Sequence, residues 1–454
     1  MLTKIYENPA VYRVDVPLPD NPLKNLNCYV VQDSGETLII DTGFNRKECL
    51  DALLEGLAEL DADWEKTNLF LTHLHADHTG LAPTLMKDKP GKMYMSRVDY
   101  AVLEGLMVGE VWKVSDANFI AEGFTQEQIN ILHSGNPARG FEPECFFDVE
   151  ELEDGDVITV GKWKFQCILV PGHTPGQMIL YQREEQLLFT ADHILFDITP
   201  NITCWVGTAD SLGNYLDSLV KTRDIPIRTA LPAHRKNDMN VYERMDEIVE
   251  HHLKRLKETV DAIQQFPGSH ATKIAACLRW SMRGKTWEEF PLSQRWFAVG
   301  ETIAHLDYLV CRGYAERKVV DGKNAYWLTM DGALCKSKLD CIWKNSARNK
   351  GKTSEYRHWF IRKQIWLESL QYKGFQLLYF YGGYFHPDVL YAEKQIFCKT
   401  EGEKFFRHPS VLYAKMEKEI FFGERKHIYG YFETVTDRTG HQGFSGGKHR
   451  ETAG

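Results

Sequence analysis

Apolar and polar residues alternate over 11–19 (VYRVDVPLP), and β-branched and aromatic residues crowd 27–32 (NCYVVQ). Both read as strands, where side chains repeat every second position. A third strand, 37–41 (TLIID), ends at Asp41-Thr42-Gly43, and a helical pattern covers 46–60. The apolar run 68–72 (NLFLT) reads as a short strand, and a helix is expected from about Gly80 and a strand at Met93-Tyr94-Met95. Residues 97–140 carry helical patterns and no strand pattern, which makes them either a lid or a further structural layer. Strands return at 156–160, 164–170, 177–183 and 187–191, and helices at 208–222 and 240–265 flank a strand at 229–231. This order predicts an α/β (α+β) fold, with two mixed sheets face to face and helices outside.

From about 268 the pattern changes. Three short helical stretches are expected, the last ending in 300–309, followed by runs at 314–320 and 324–329. Asp321-Gly322 lies between those runs, a strong hairpin signal. Helices followed by a hairpin suggest a winged helix. The expected division is a catalytic domain over 1–265, a winged-helix-like domain over 266–335 and an unassigned extension over 336–454. That extension holds 23 of the 55 aromatic residues and repeats His386-Pro387-Asp388-Val389-Leu390-Tyr391-Ala392 as His408-Pro409-Ser410-Val411-Leu412-Tyr413-Ala414. Two copies fall short of the three or more that a solenoid needs. A basic, aromatic tail could stack on single-stranded nucleic acid, but the reading preferred here is an extension without its own activity.

Length and charge refine this picture. A chain of 454 residues suits two or three domains. The net charge of −9 is uneven: 336–454 has 21 Lys+Arg against 13 Asp+Glu, and 1–335 has 33 against 50. An acidic body repels a polyanion, so nucleic acid is a disfavoured partner and a small-molecule substrate the expected one. Lys4 and Glu7 interrupt the first residues, and no apolar run approaches a membrane span, so neither a signal peptide nor a membrane partner is expected. Ten cysteines without a C-x-x-C pair fit a reducing cytoplasm. No oligomeric state follows from these patterns.

The chemistry concentrates at 73–78, His-Leu-His-Ala-Asp-His, directly after a buried strand. Imidazole and carboxylate are donors that zinc and similar ions prefer. In an extended exit His73 and His75 point the same way, while Asp77 and His78 turn toward a second position. One cluster cannot close two metal sites. Further donors stand at strand ends: His173 in Pro171-Gly172-His173-Thr174-Pro175-Gly176, Asp192 after 187–191, and His234 after 231–233. Together they give seven ligands, enough for two ions sharing one carboxylate.

In this order, Asp41, His73-x-His75-x-Asp77-His78, His173, Asp192 and His234, the sequence resembles the metallo-β-lactamase superfamily, which includes glyoxalase II and lactamase-like nucleases. The resemblance covers residues 30–235. It implies an αββα sandwich with its site at one edge. It implies one ion on His73, His75 and His173, and a second on Asp77, His78 and His234, with Asp192 bridging and Asp41 holding a ligand in place. Zinc is the expected ion, and iron or manganese suit the same donors. Two such ions can hold a hydroxide that attacks an acyl or phosphoryl centre. The catalytic candidates are Asp77, which doubles as a ligand, and His193, read either as the donor of a proton to the leaving group or as an orienting residue. Family members often place glycine after the last histidine. Here Arg235 stands there, to narrow the pocket or to bind an anionic substrate. A winged-helix extension also occurs in some lactamase-like endoribonucleases.

The first expectation is therefore a hydrolase of a small thioester, ester or lactone. A nuclease or phosphodiesterase is the second and a non-catalytic metal-binding protein the third. Glyoxalase II itself is disfavoured, because its glutathione-gripping basic residues have no counterpart that can be placed. Redox chemistry is disfavoured because the first cluster keeps its histidines.

Overall fold

The computed structural model describes residues 1–135 and 137–348; the expectations for 349–454, including the repeat, lie outside the described residues. β1 (Leu2–Tyr6), β2 (Ala10–Pro17), β3 (Asn25–Asp33) and β4 (Glu36–Ile40) pair antiparallel in succession. α1 (Lys47–Glu59) crosses back, so that β5 (Thr67–Leu71) lies parallel to β4. The short helices α2 (Ala76–Thr79) and α3 (Ala82–Leu85) lead to β6 (Met93–Ser96). Four helices follow: α4 (Arg97–Met107), α5 (Glu110–Ala121), α6 (Gln126–Gly135) and α7 (Pro137–Gly140). β7 (Glu150–Leu152) completes a seven-stranded sheet in the order β1 to β7.

The second sheet has five strands. β8 (Val157–Val160), β9 (Trp163–Leu169), β10 (Met178–Gln182) and β11 (Leu187–Ala191) form an antiparallel meander. α8 (Ser211–Arg223) carries the chain to β12 (Thr229–Pro232), parallel to β11. The remainder is α9 (Val241–Gln265), α10 (Ala271–Ala275), α11 (Leu292–Cys311), β13 (Ala315–Val320), β14 (Lys323–Leu328) and α12 (Gly332–Arg348).

Three apolar clusters make the layers. Val31, Leu38, Ile40 and Phe70 of the first sheet meet Phe165, Leu180, Leu187 and Phe189 of the second. The outer face of the first sheet packs on α1 through Leu53 and Leu57, and on Leu81, Leu85 and Leu103. The outer face of the second packs on α8 and α9 through Leu212, Leu219, Met245 and Ile248. Helix, sheet, sheet and helix thus stack as four layers. β10 and β11 are buried at every position, as strands sandwiched on both faces must be.

The segment after α9 differs from its expectation. One twenty-residue helix, α11, stands where shorter stretches were predicted, preceded by the five-residue α10. Its Gly300 lies against Thr203 and Phe119, where a Cβ would come within 2.3 Å of Thr203 Oγ1. The glycine therefore serves close packing without interrupting the helix. The Asp321-Gly322 turn does make a hairpin: Val320 pairs with Lys323, and both turn residues have positive φ, +49° and +74°. That is the twist-matched type I′ geometry. Ile274, Ile303, Leu306, Tyr326 and Cys335 belong to the same cluster as α8 and α9, so the core does not end at residue 265.

This segment also grips the helices of 97–140. Glu122 is buried and accepts hydrogen bonds from Tyr326 Oη and Asn324 Nδ2, both at 2.7 Å, and from the Ala271 amide at 3.2 Å. Phe119 stacks on Trp296 with centroids 5.1 Å apart. Around α5 the inserted helices are thus a packed layer.

Candidate metal centre

The site sits where strands of both sheets end. β5 delivers Thr72 and His73, the turn after β9 carries His173, β11 runs into Asp192, and β12 into His234. Three non-glycine residues here have positive φ: Asp41 at +63°, Ala191 at +47° and Arg235 at +64°. Such conformations persist only where the surroundings over-determine them, and they cluster at functional sites. Arg235 thus adopts a conformation that glycine reaches without strain. Its Nη2 donates to the Pro22 carbonyl at 2.6 Å, and its own carbonyl accepts from Asn27 Nδ2 at 2.8 Å. This ties down the loop before β3.

Seven side chains converge as two sets. His73 Nε2 and His173 Nε2 each lie 3.0 Å from His75 Nδ1. Three nitrogens this close to one another share a single point in space. Burial and the neighbouring imidazoles push His73 well below its ordinary pKa and His75 down to about 3, and burial also lowers His173. All three are therefore neutral lone-pair donors at pH 7, the form in which imidazole binds a metal.

The second set is mixed. His234 Nε2 lies 3.3 Å from Asp77 Oδ2 and 3.5 Å from Asp192 Oδ1, and His78 Nε2 lies 3.8 Å from each of these oxygens. The other Asp192 oxygen, Oδ2, faces His173 Nε2 of the first set at 3.6 Å. One carboxylate thus stands between the two. Burial disfavours the His78 cation, yet Asp41, Asp77 and Asp192 raise its pKa to about 10. Asp192 and Asp77 likewise raise His234 against burial, and His78 and His234 hold Asp77 below the usual carboxylate range despite its burial.

Remote atoms are already committed. His78 Nδ1 meets Asp41 Oδ2 at 2.8 Å, His173 Nδ1 the Asn201 carbonyl at 2.8 Å, and His234 Nδ1 the Asn25 carbonyl at 2.9 Å. Asp41 in turn accepts from the Thr72 amide at 2.8 Å and Thr72 Oγ1 at 2.9 Å. Such partners fix the tautomer and aim the free nitrogen inward. His78 Nε2, His234 Nε2 and Asp192 Oδ1 are left buried with no hydrogen-bond partner. Buried polar atoms without partners are costly. Here all three face one space, and a divalent cation would satisfy them together. The donor set fits zinc in kind, three imidazoles on one side and two imidazoles with carboxylate on the other.

His193 is not part of this gathering. Its Nε2 lies 3.0 Å from Thr222 Oγ1 on α8, and its ring is edge-on to Tyr215 at 5.5 Å. Burial lowers its pKa to about 3, so the ring is neutral and shut away from solvent. Its carbonyl accepts from Tyr215 Oη at 2.8 Å, which seats the residue between Asp192 and α8.

Three further residues escape sequence reasoning. Asp99, at the start of α4, accepts from the Leu74 amide at 3.1 Å, Thr174 Oγ1 at 2.6 Å and the Gly176 amide at 2.5 Å. Ser96-Arg97-Val98-Asp99 has the look of a helix-capping box, a local signal that says nothing of these distant partners. Gln177, buried on the approach to β10, turns its amide oxygen to the backbone amides of Asp192 (2.9 Å) and His193 (3.0 Å). Trp205 donates from Nε1 to the His173 carbonyl at 2.8 Å, and its half-buried ring stands 5.8 Å from that of His75.

A profile described as metallo-beta-lactamase superfamily matches residues 22–234. An uncharacterized protein of Aquifex aeolicus is 30% identical over 177 residues, 38% of this chain and 68% of its own length. The chain belongs to the metallo-β-lactamase superfamily. An atrochrysone carboxyl ACP thioesterase of Pseudocercospora fijiensis is 23% identical over 244 residues, 54% of this chain, which matches just 57% of that relative's length. Among solved structures, a metallo-beta-lactamase family protein of Thermus thermophilus is 25% identical, with a TM-score of 0.57, covering 70% of this chain and 98% of that one. A beta-lactamase domain protein of Burkholderia ambifaria shares the fold, with a TM-score of 0.62 and 24% identity over 72% of this chain and 94% of its own. The metallo-β-lactamase sandwich here carries its histidines at the strand ends. Among the described residues no helix is long and apolar enough to cross a membrane, and all nine described cysteines are free.

Proposed function

We propose that this chain is a dinuclear metal-dependent hydrolase acting on a small thioester, ester or lactone, with zinc the expected ion. One ion would sit on His73, His75 and His173, the other on Asp77, His78 and His234, with Asp192 shared. The observation that carries this reading is the Asp192 carboxylate, whose two oxygens face two separate donor sets. When bound, the ions supply Lewis acidity and lower the pKa of water toward neutrality. The chain's own groups do the rest. Asp41 and the Asn201 and Asn25 carbonyls bond the remote nitrogens of His78, His173 and His234, which aims the other ring nitrogen of each inward. Asp77, ionised at pH 7, would accept a proton from an attacking water. Addition of that water to the acyl carbon, cleavage of the C–S or C–O bond and return of the Asp77 proton to the departing thiolate or alkoxide would complete the hydrolysis.

Thioesters come first among these substrates because curated relatives bear the name of carboxyl ACP thioesterases. Trp205, half-buried beside His75, offers an apolar wall for an acyl chain. The free cysteines fit a reducing cytoplasm. The test is elemental analysis of the purified protein together with thiol release from a panel of acyl thioesters, repeated for Asp192→Ala. About two ions per chain are expected, and loss of this ligand should cut thiol release by more than about 100-fold. A protein that takes up no metal even after reconstitution would sink the reading. Cleavage of single-stranded RNA with no thioesterase activity would replace it by the phosphodiesterase reading.

A further inference from the structure

We propose that Asp99 is a positioning residue that clamps the two ligand loops of the three-imidazole set into register, and so sets the affinity for the ion held there. The proposal rests on the metal-centre reading above and assigns a role to a residue outside it.

His73 and His75 come from one loop and His173 from another, 98 residues away in sequence. Nothing covalent fixes their spacing. Asp99 belongs to neither loop and bonds to both. Its Oδ2 accepts from the Leu74 amide, between His73 and His75, and from Thr174 Oγ1, next to His173. Its Oδ1 accepts from the Gly176 amide. Both oxygens are thus committed, and the residue is wholly buried.

The backbone has been fitted around this clamp. A Cβ on Gly176 would lie 2.5 Å from both the Asp99 amide and Ser96 Oγ, and 2.8 Å from Asp99 Oδ1. Only glycine lets the His173 loop come that close. Ser96 caps α4 and accepts from the Asp99 amide at 3.4 Å, which anchors the carboxylate at the start of a helix of eleven residues. The helix dipole favours a negative charge at that end.

None of these bonds reaches the Asp77, His78, Asp192 and His234 set. A role specific to one ion is therefore readable apart from general stability. Asp99→Asn keeps the shape but must present its NH2 group to at least one donor. Thr174→Val removes one bond and leaves the carboxylate in place. Glu122→Gln is the control, a buried carboxylate whose hydrogen bonds go to the hairpin and to the Ala271 amide.

The measurement is zinc titration of metal-stripped protein against a chromophoric chelator, with a thermal melt of each metal-free variant. Wild type should fill two positions. In Asp99→Asn one of the two affinities should fall about 10- to 100-fold while the other stays within about twofold, in line with other outer-shell partners of metal ligands. Thr174→Val should move the same affinity in the same direction by less. Glu122→Gln should lower the melting temperature with both affinities unchanged. In a His173→Ala background Asp99→Asn should add nothing further, since coupled residues are non-additive. A folded Asp99→Asn protein that binds two zinc ions with wild-type affinities overturns the proposal and leaves the metal centre standing. Wild-type protein that binds no zinc overturns both.

Discussion

At the scale of single residues, the two donor sets hold protons differently. Burial and neighbouring imidazoles push down His73 and His75, His75 to about 3, and burial lowers His173. His78 is pushed up to about 10 and His234 is raised as well, because carboxylates surround them. In the metal-free chain, protons on the second set stand in for the missing cation charge. The sign follows: an ion entering the Asp77, His78 and His234 set must displace protons, so its affinity falls as pH falls. The three imidazoles, all lowered, hold less proton to lose, so an ion there meets less competition as pH falls. Dialysis of zinc-loaded protein at stepped pH from 8 to 5, with ion content read at each step, should show one ion leaving well before the other. Simultaneous loss of both would contradict this assignment. Asp41 shows what single-residue reading of a sequence can and cannot reach. Its place at a strand end marks it for notice, but only the fold shows its carboxylate splitting between the Thr72 amide and His78 Nδ1.

At the scale of elements, the strand ends matter more than the strands. The His173 turn is the clearest case. Gly172 has φ of +150°, and a Cβ there would come within 2.4 Å of Tyr215 Cβ and 2.5 Å of its Cα. Gly172→Ala should therefore destabilise the chain by about 1–3 kcal/mol, typical of overpacking, and weaken zinc binding because His173 is displaced with its turn. Chemical denaturation and chelator competition would read the two effects separately; an alanine variant stable and fully metal-loaded would show that the turn yields. Legibility also divides by element. β8 alternates exposed and buried positions, and β10 and β11 are continuous apolar runs, so each was readable from period or composition. β1 and β7 were not. β1 is half-exposed at the sheet edge, and β7 begins Glu150-Glu151, so both owe their strand form to the neighbour they pair with. Tertiary pairing overrides local preference in such edge strands. The ligand cluster was legible because donors crowd into six residues; Asp99 and Gln177 were not, because each acts on residues distant in the chain.

At the scale of the whole molecule, one apolar cluster ties the second sheet to everything that follows it up to α12. Ile274, Ile303, Leu306 and Tyr326 are completely buried in it. A chain ending at residue 265 would expose the faces of α8 and α9 that pack on α10, α11 and α12. Such a truncation should be insoluble or lack a cooperative melt, whereas a chain ending at 348 should melt in one transition. Soluble, sharply melting 1–265 protein would contradict the shared core. The grip of the hairpin on Glu122 carries a further consequence, in time. Tyr326 is made 204 residues after Glu122. At a synthesis rate of about 5–20 residues per second, roughly 10–40 s separate their exits from the ribosome. Throughout that interval the Glu122 carboxylate lacks the hairpin that buries it, and the nascent chain must be kept from aggregating until that hairpin arrives.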